Sequence, residues 1–194
     1  MSFTSFKQYI TLNEYELTTD AIPSHTNEDD IEHDEFKKHD YGTVDNHQIT
    51  HYKAKNRGDS HFTFVKNKNT GETVGHIEHK PTRGGRLALS NVTKVKSEDG
   101  SNFSMRNVVK HLINKGHTVE SDKSNTTNGA HKMLMGLAKD NDIKTHIEDG
   151  KGKVIPHEGD ITSHENQAKY TVKDSDKDFL ENNKHKHILV MSKK

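Results

Sequence analysis

Residues 104–147 read SMRNVVKHLINKGHTVESDKSNTTNGAHKMLMGLAKDNDIKTHI, and this segment decides the fold. Two runs within it carry apolar residues at helical spacing, which is typical of a helix that packs one face on a sheet. The apolar positions are Met105, Val108, Val109, Leu112 and Ile113 in the first run, and Ala130, Met133, Leu134, Leu137 and Ala138 in the second. Lys115 and Gly116 end the first run as a helix C-terminus should. We predict a helix, a short strand near 117–122, a second helix and a second strand.

Upstream of this segment the sequence predicts an antiparallel meander. Alternating apolar residues indicate strands at 48–55, 60–66, 72–80 and 86–96. The turn from Asn67 to Gly71 joins the second and third of these as a hairpin. Gly75 indicates a bulge or a close backbone approach, and the period of the last strand breaks between Leu89 and Val92, which predicts a bulge there.

The remaining chain divides by composition. Residues 1–17 predict a short amphipathic helix, residues 18–46 an acidic polar linker, and residues 47–194 one domain. Within that domain we expect a strand at 168–172, a short helix at 176–182 and a terminal strand at 187–191.

Overall composition excludes several classes of protein. Lys+Arg and Asp+Glu are equal at 29 each, which argues against a dedicated nucleic-acid binder. The absence of cysteine excludes disulfides and thiolate catalysis. No apolar run approaches the length of a membrane span and no signal peptide is evident, so we expect a soluble protein.

Several motifs invite a functional interpretation. His76 with His79, and His185 with His187, could form metal sites, but 16 histidines make chance pairs frequent and no His-Glu-x-x-His helix is present. We therefore expect surface or half-buried histidines and no metal. The loop from Arg83 to Arg86 lacks the Lys-Ser/Thr of a P-loop and predicts a turn.

Two resemblances go further. Residues 6–9 (FKQY) and 12–14 (LNE) resemble the leaders of proteins packaged in the heads of large tailed phages. Membership of that group implies cleavage after Glu14 by a prohead protease. The leader and its cut site would have to be exposed near the terminus.

The order hairpin, bulged strand, helix, short strand, helix and strand resembles the GNAT family of acyl-CoA N-acyltransferases, especially divergent GNAT-like proteins of tailed phages. The matching residues are Ser121, Asp122, Thr126, Gly129, Ala130, Met133, Leu137 and Ala138. The resemblance implies an α/β fold with a mixed, largely antiparallel GNAT-like sheet flanked by two principal helices.

The resemblance also implies a site. The family binds the pyrophosphate of acetyl-CoA or another acyl-CoA on a loop before a helix, and here Gly100, Ser101 and Asn102 would bind it. That loop carries the acidic Glu98 and Asp99. Leu134 replaces the aromatic residue that serves as general acid in catalytic members. Glu78 and His76 are candidates for the general base by location alone.

Two functions follow as expectations. The first is a phage acyl-CoA-dependent N-acyltransferase with a degenerate cofactor loop. The alternative is a non-catalytic protein, packaged in the virion head or acting in the host cytoplasm, that uses the same fold to bind a host or virion protein.

Overall fold

The computed structural model describes residues 28, 35–55, 60–80, 82, 84–94, 99–121, 130–171 and 187–194. The described chain forms nine strands and three helices. The strands are β1 (Phe36–Val44), β2 (His47–Ala54), β3 (His61–Asn67), β4 (Thr73–Lys80), β5 (Leu87–Lys94), β6 (Val119–Ser121), β7 (Ile143–Asp149), β8 (Val154–Ile155) and β9 (His187–Lys193). The helices are α1 (Met105–Asn114), α2 (Ala130–Ala138) and α3 (His164–Tyr170).

All nine strands belong to one sheet in the order β1-β2-β3-β4-β5-β6-β9-β7-β8. Neighbouring strands are antiparallel except β5 and β6, which are parallel and joined through α1. The prediction of an α/β fold with a mixed, largely antiparallel sheet is confirmed at this level.

The apolar residues at helical spacing are the ones that the helices bury in the core. Five residues of α1 are fully or nearly fully buried, and they are Met105, Val108, Val109, Leu112 and Ile113, as predicted. α1 ends at Asn114 and is followed by Lys115 and Gly116; the φ of 96° at Gly116 suits glycine, and the His117 N–H donates to the Leu112 carbonyl. α2 buries Met133, Leu134 and Leu137 in the same cluster as the α1 residues, together with sheet residues such as Ile77 and Leu189.

Both predicted irregularities are present in the meander. The register of β4 with β5 shifts between Glu78 and His79, so that Ser90 is the extra residue in β5. Beside Gly75, the register of β3 with β4 shifts as well. A Cβ on Gly75 would lie 2.8 Å from the Phe103 ring, so this glycine permits a close approach.

Two expectations need correction, and others fall outside the described residues. The segment 36–44 of the expected linker is strand β1, an edge strand whose many charged residues face solvent. The strand expected at 168–172 is wrong over 168–170, which belong to α3; Ser163 caps that helix by accepting from the Asn166 N–H. The leader at 1–17, the linker residues 18–27 and 29–34, and the helix at 176–182 lie outside the described residues.

None of the described helices combines the length and the apolar character needed to cross a bilayer.

Candidate anion site at the N-terminus of α1

The loop that leads from β5 into α1 is anchored on the sheet by one aromatic ring. Phe103 is only 4% exposed and packs against Gly75 and His47, with ring centroids of Phe103 and His47 5.0 Å apart. Lys94, at the end of β5, donates from Nζ to the Phe103 carbonyl at 2.5 Å and to Asn102 Oδ1 at 2.6 Å. Residues 102 and 103, just before α1, are therefore held against the end of β5 and against the sheet.

The N-terminus of α1 is capped by a residue from another element. The Ser104 side chain makes no capping hydrogen bond, and the first turn of α1 contains no acidic residue. Instead, the Ser104 N–H donates to Asp45 Oδ2 at 3.1 Å, and Asn107 Nδ2 donates to the same oxygen at 2.9 Å. Asp45 thus occupies the position at a helix N-terminus where an anion would bind.

Asp45 is presented by the tight turn between β1 and β2. Asp45 and Asn46 have φ values of 46° and 62°, so both central residues of this two-residue turn are left-handed, as in a type I′ hairpin. His47 Nδ1 lies 2.6 Å from the Asp45 carbonyl oxygen. Because Asp and Asn tolerate left-handed backbone better than most residues, this turn directs the carboxylate at α1 without large strain.

The residues expected to bind pyrophosphate are engaged with the protein itself. The Ser101 N–H donates to Asp99 Oδ1 at 2.8 Å, and the Ser101 hydroxyl accepts from Asn67 Nδ2 at 2.8 Å. Gly100 has φ 71° and forms the turn before them. Asp99, one of the two acidic residues noted in the sequence, turns into the loop and takes an amide hydrogen that a phosphate oxygen would otherwise accept.

Electrostatics at this site disfavour a pyrophosphate. Among the described residues, the carboxylates of Asp45 and Asp99 and the ammonium group of Lys94 make hydrogen bonds to this loop and to Ser104. A helix N-terminus carries about half a positive charge, which one carboxylate already compensates. An incoming pyrophosphate would have to displace Asp45 and approach Asp99.

The sheet separates the two expected parts of the active site. Phe103 packs on Gly75, and side chains alternate along a strand, so His76 and Glu78 point to the opposite face of β4. His76 is fully buried and stacks on Phe64, with centroids 6.1 Å apart. Glu78 accepts a hydrogen bond from the Ser60 hydroxyl at 2.8 Å. The structure does not bring either residue to Gly100, Ser101 or Asn102.

Other residues of the resemblance have structural contacts. Leu134 is a core residue. Ser121 is buried, and its hydroxyl accepts from the Leu189 N–H at 3.0 Å, which fixes β9 beside β6. Asp122, Thr126 and Gly129, like Glu98 in the loop, lie outside the described residues.

The expectation of surface or half-buried histidines is wrong for His76 and His79, both of which are fully buried. The structure places His79 in a group that we name the histidine cluster, which consists of His39, His51, His61, His79 and His117. His51 lies at its centre, with ring centroids 6.0 Å from His61, 5.7 Å from His79 and 5.6 Å from His117. The sequence signal for part of this group was the Asn67–Gly71 turn, because its register sets His61 opposite His79.

A second polar group spans β5, β6 and β7. Arg86 donates to both Glu148 carboxylate oxygens, at 2.5 and 3.0 Å, and its guanidinium lies 3.6 Å from Glu120. His146 Nε2 is 2.7 Å from Glu148 Oε1. Burial acts to raise the pKa of Glu148, but the hydrogen bonds from Arg86 and His146 outweigh it and lower that pKa. Arg86 therefore neutralises a buried carboxylate instead of serving a phosphate-binding loop.

Comparison with protein-family models, curated proteins and solved structures finds no match for this chain. Within the ranges that the structure describes, no group of three or more His, Asp or Glu side chains is arranged to hold a metal ion. We therefore infer function from the geometry of the chain itself.

Proposed function

We propose that this chain is a GNAT-like protein that acts by binding a partner, and that it does not transfer an acyl group from coenzyme A. The observation that carries the proposal is the Asp45 carboxylate at the N-terminus of α1, 3.1 Å from the Ser104 nitrogen. A family that binds pyrophosphate at this position needs free N–H groups and a positive potential there. Here the Asp45 carboxylate of the chain itself accepts a hydrogen bond at that position.

Two further observations support a non-catalytic role. The candidate bases His76 and Glu78 lie on the opposite face of β4 from the loop. Leu134, which stands where catalytic relatives carry an aromatic general acid, is packed in the core. No proton donor or acceptor of the expected kind therefore faces the loop from these three positions.

Calorimetric titration with acetyl-CoA tests the proposal. We expect no saturable heat for the wild-type protein at ligand concentrations of millimolar order, and a dissociation constant of micromolar order would contradict the proposal. The double variant Asp45→Gly, Asp99→Asn removes both carboxylates, and glycine suits the positive φ at position 45. It should acquire measurable binding if the carboxylates are what exclude the cofactor. The double variant Glu158→Gln, Glu165→Gln, which removes two exposed carboxylates in and just before α3, is the charge-matched control.

A second candidate, an acyl-CoA-dependent N-acyltransferase, is favoured by the order of elements. The β3–β4 hairpin, the bulged strand β5, α1, β6 and α2 follow one another as in the family. For this function Asp45 would have to leave α1 when the cofactor binds. Saturable binding of acetyl-CoA by the wild-type protein would favour this candidate.

The partner and location remain proposals that rest on the leader-like residues 6–14. We propose a virion or host protein as partner and packaging in a phage head as the route by which the chain reaches it. If so, protein recovered from particles should begin at Tyr15. Recovery of the protein with an intact N-terminus would contradict packaging by this route.

A further inference from the structure

The histidine cluster lies where the edge strand β1 meets α1. Tyr41 is the bulged residue of β1, because the register with β2 shifts between Asp40 and Gly42. The bulge directs the Tyr41 ring onto His51, with centroids 5.4 Å apart and planes 7° from parallel. Tyr41 is thus the point at which β1 contacts the cluster.

Two hydroxyl groups hydrogen-bond to imidazoles of the cluster, and each can donate only to a ring nitrogen that carries no proton. The Thr63 hydroxyl lies 2.9 Å from both His51 Nδ1 and His79 Nε2. A hydroxyl has a single hydrogen to donate, so when it donates to one ring the other ring donates to it. The Tyr41 hydroxyl lies 2.6 Å from His117 Nε2 and can donate only if that nitrogen carries no proton.

Among the described residues, the titratable groups that act on His51 are all basic. They are His39 on β1, Lys53 on β2, His61 on β3 and His117 after α1, and His79 on β4 is affected by His51, His61 and His117. Burial is the largest cause that lowers the pKa of His51, to about 3, and the neighbouring imidazoles and Lys53 add to it. The pKa of His79 is lowered in the same way, as are those of His61 and His117. Each proton that enters therefore disfavours the next and weakens the packing that excludes water.

β1 contacts α1 at both ends of the helix. Tyr41 makes the contacts near the C-terminus of α1, and Asp45 makes the contact at its N-terminus. The Tyr41 carbonyl oxygen is 2.6 Å from His111 Nε2, near the C-terminus of α1, and the Tyr41 hydroxyl contacts His117 beyond that helix. At the far end of β1, Asp45 caps the N-terminus of the same helix. On its other side β1 is the edge of the sheet and pairs only with β2 among the described strands.

We propose that the histidine cluster is an acid-sensitive latch, whose protonation releases β1 and the turn after α1 from the rest of the sheet. A released β1 withdraws Asp45 from the N-terminus of α1 and leaves β2 as the sheet edge. The site is therefore closed near neutral pH and opens when the surroundings acidify. Open and closed states exchange by local unfolding. Acid favours the open state because the histidines bind protons more readily when they are exposed.

Hydrogen exchange of the full-length protein tests the latch. Amides of β1 and of β7 with β9 are compared at about pH 7.5 and about pH 5.5, after correction for the intrinsic pH dependence of exchange. We expect the protection of β1 to fall by about tenfold or more relative to that of β7 and β9, since each unit of pKa difference is worth a factor of ten. Equal changes in both regions would overturn the proposal.

Two variants make the test specific. In His117→Gln the amide oxygen can accept from the Tyr41 hydroxyl but cannot be protonated, so the excess loss of β1 protection at low pH should shrink by several-fold. His164→Gln removes an exposed histidine of α3 and should behave as the wild type. Wild-type behaviour of His117→Gln would overturn the proposal.

If His117→Gln fails to fold, the imidazole resonances of the wild type give a second readout. The latch requires the His51 and His117 resonances to titrate below their ordinary range and together with the loss of β1 protection. Independent titration of both near about pH 6.5 would overturn it.

Discussion

The substitution Gly75→Ala should destabilise the protein because it removes the space that seats the loop before α1. A Cβ at this position would lie 2.8 Å from the Phe103 ring, 3.1 Å from the Thr93 carbonyl oxygen and 3.2 Å from the Met105 methyl. The Phe103 ring is buried and the Thr93 oxygen belongs to the neighbouring strand, so neither can move away freely. The methyl group must displace the loop that carries the start of α1.

The magnitude follows from two opposing effects. Forcing an extra methyl group into a packed core costs about 1–3 kcal/mol. Replacing a strand glycine by alanine returns roughly 0.5–1 kcal/mol of conformational entropy. The difference between the centres of the two ranges is a net loss of about 1 kcal/mol, which corresponds to a fall of about 0.5 M in the urea midpoint for a slope of about 2 kcal/mol/M.

Gly136→Ala is the matched control. Its Cβ would lie 3.1 Å from Arg106 Cδ, but that side chain is 43% exposed and can swing aside. Alanine is favoured over glycine within a helix by about 1 kcal/mol, so the free energy of unfolding should stay equal or rise by up to that amount.

Urea unfolding of Gly75→Ala, Phe103→Leu, the double variant that combines them, and the control Gly136→Ala measures these effects. The smaller leucine makes room for the new methyl group, so the double variant should lose less than the sum of the two single losses. An unchanged midpoint for Gly75→Ala, or strict additivity in the double variant, would refute the seating of Phe103 on Gly75.

Three further outcomes are expected. His51 has a pKa of about 3 in the folded protein against an ordinary value near 6.5. Its contribution to stability is therefore complete above about pH 6.5 and is lost as the pH falls towards 3. Urea midpoints measured from neutral to acidic pH should decline accordingly. Arg86→Ala leaves the Glu148 carboxylate, only 4% exposed, without its main partner and should cost on the order of 3 kcal/mol, whereas Arg106→Ala, at the surface, should cost less than about 1 kcal/mol by the same measurement. Asp45→Gly removes the cap of α1 and should lower the free energy of unfolding by about 1 kcal/mol, with earlier hydrogen exchange in the first turn of α1.

Local signals in the sequence were sufficient for much of the fold. The apolar stripe of α1 and the stop at Gly116 predicted that helix, and the Asn67–Gly71 turn predicted the β3–β4 hairpin. The broken period near Ser90 predicted the bulge in β5. In each case the physical cause acts within a few residues of the chain, so a single sequence contains it.

Strand β1 and helix α3 were missed because their local signals are weak. β1 has few apolar residues among charged ones, since an edge strand can leave one face to solvent, and its composition resembles a linker. At 168–172 five residues do not distinguish a strand from the end of a short helix. The Ser163 side chain caps the N-terminus of α3 and so favours the helix.

The site depended on contacts that no local pattern contains. Asp45 lies 59 residues before the Ser104 amide that it caps, and Tyr41 lies 76 residues before His117. A glycine-containing loop before a helix suggested an open anion site, and no residue near the loop in the chain indicates that a distant carboxylate fills it. The histidine cluster likewise needs the register of four strands before its members can be seen to meet.

The central claim is that a carboxylate of the chain itself occupies the N-terminus of α1. Backbone amide resonances of Ser101 and Ser104, followed by NMR during a titration with acetyl-CoA near neutral pH, test it most directly. We expect no shift in the wild type at ligand concentrations of up to millimolar order, and a displaced Ser104 resonance in ligand-free Asp45→Gly. Saturable shifts of both wild-type amides with acetyl-CoA would contradict the claim.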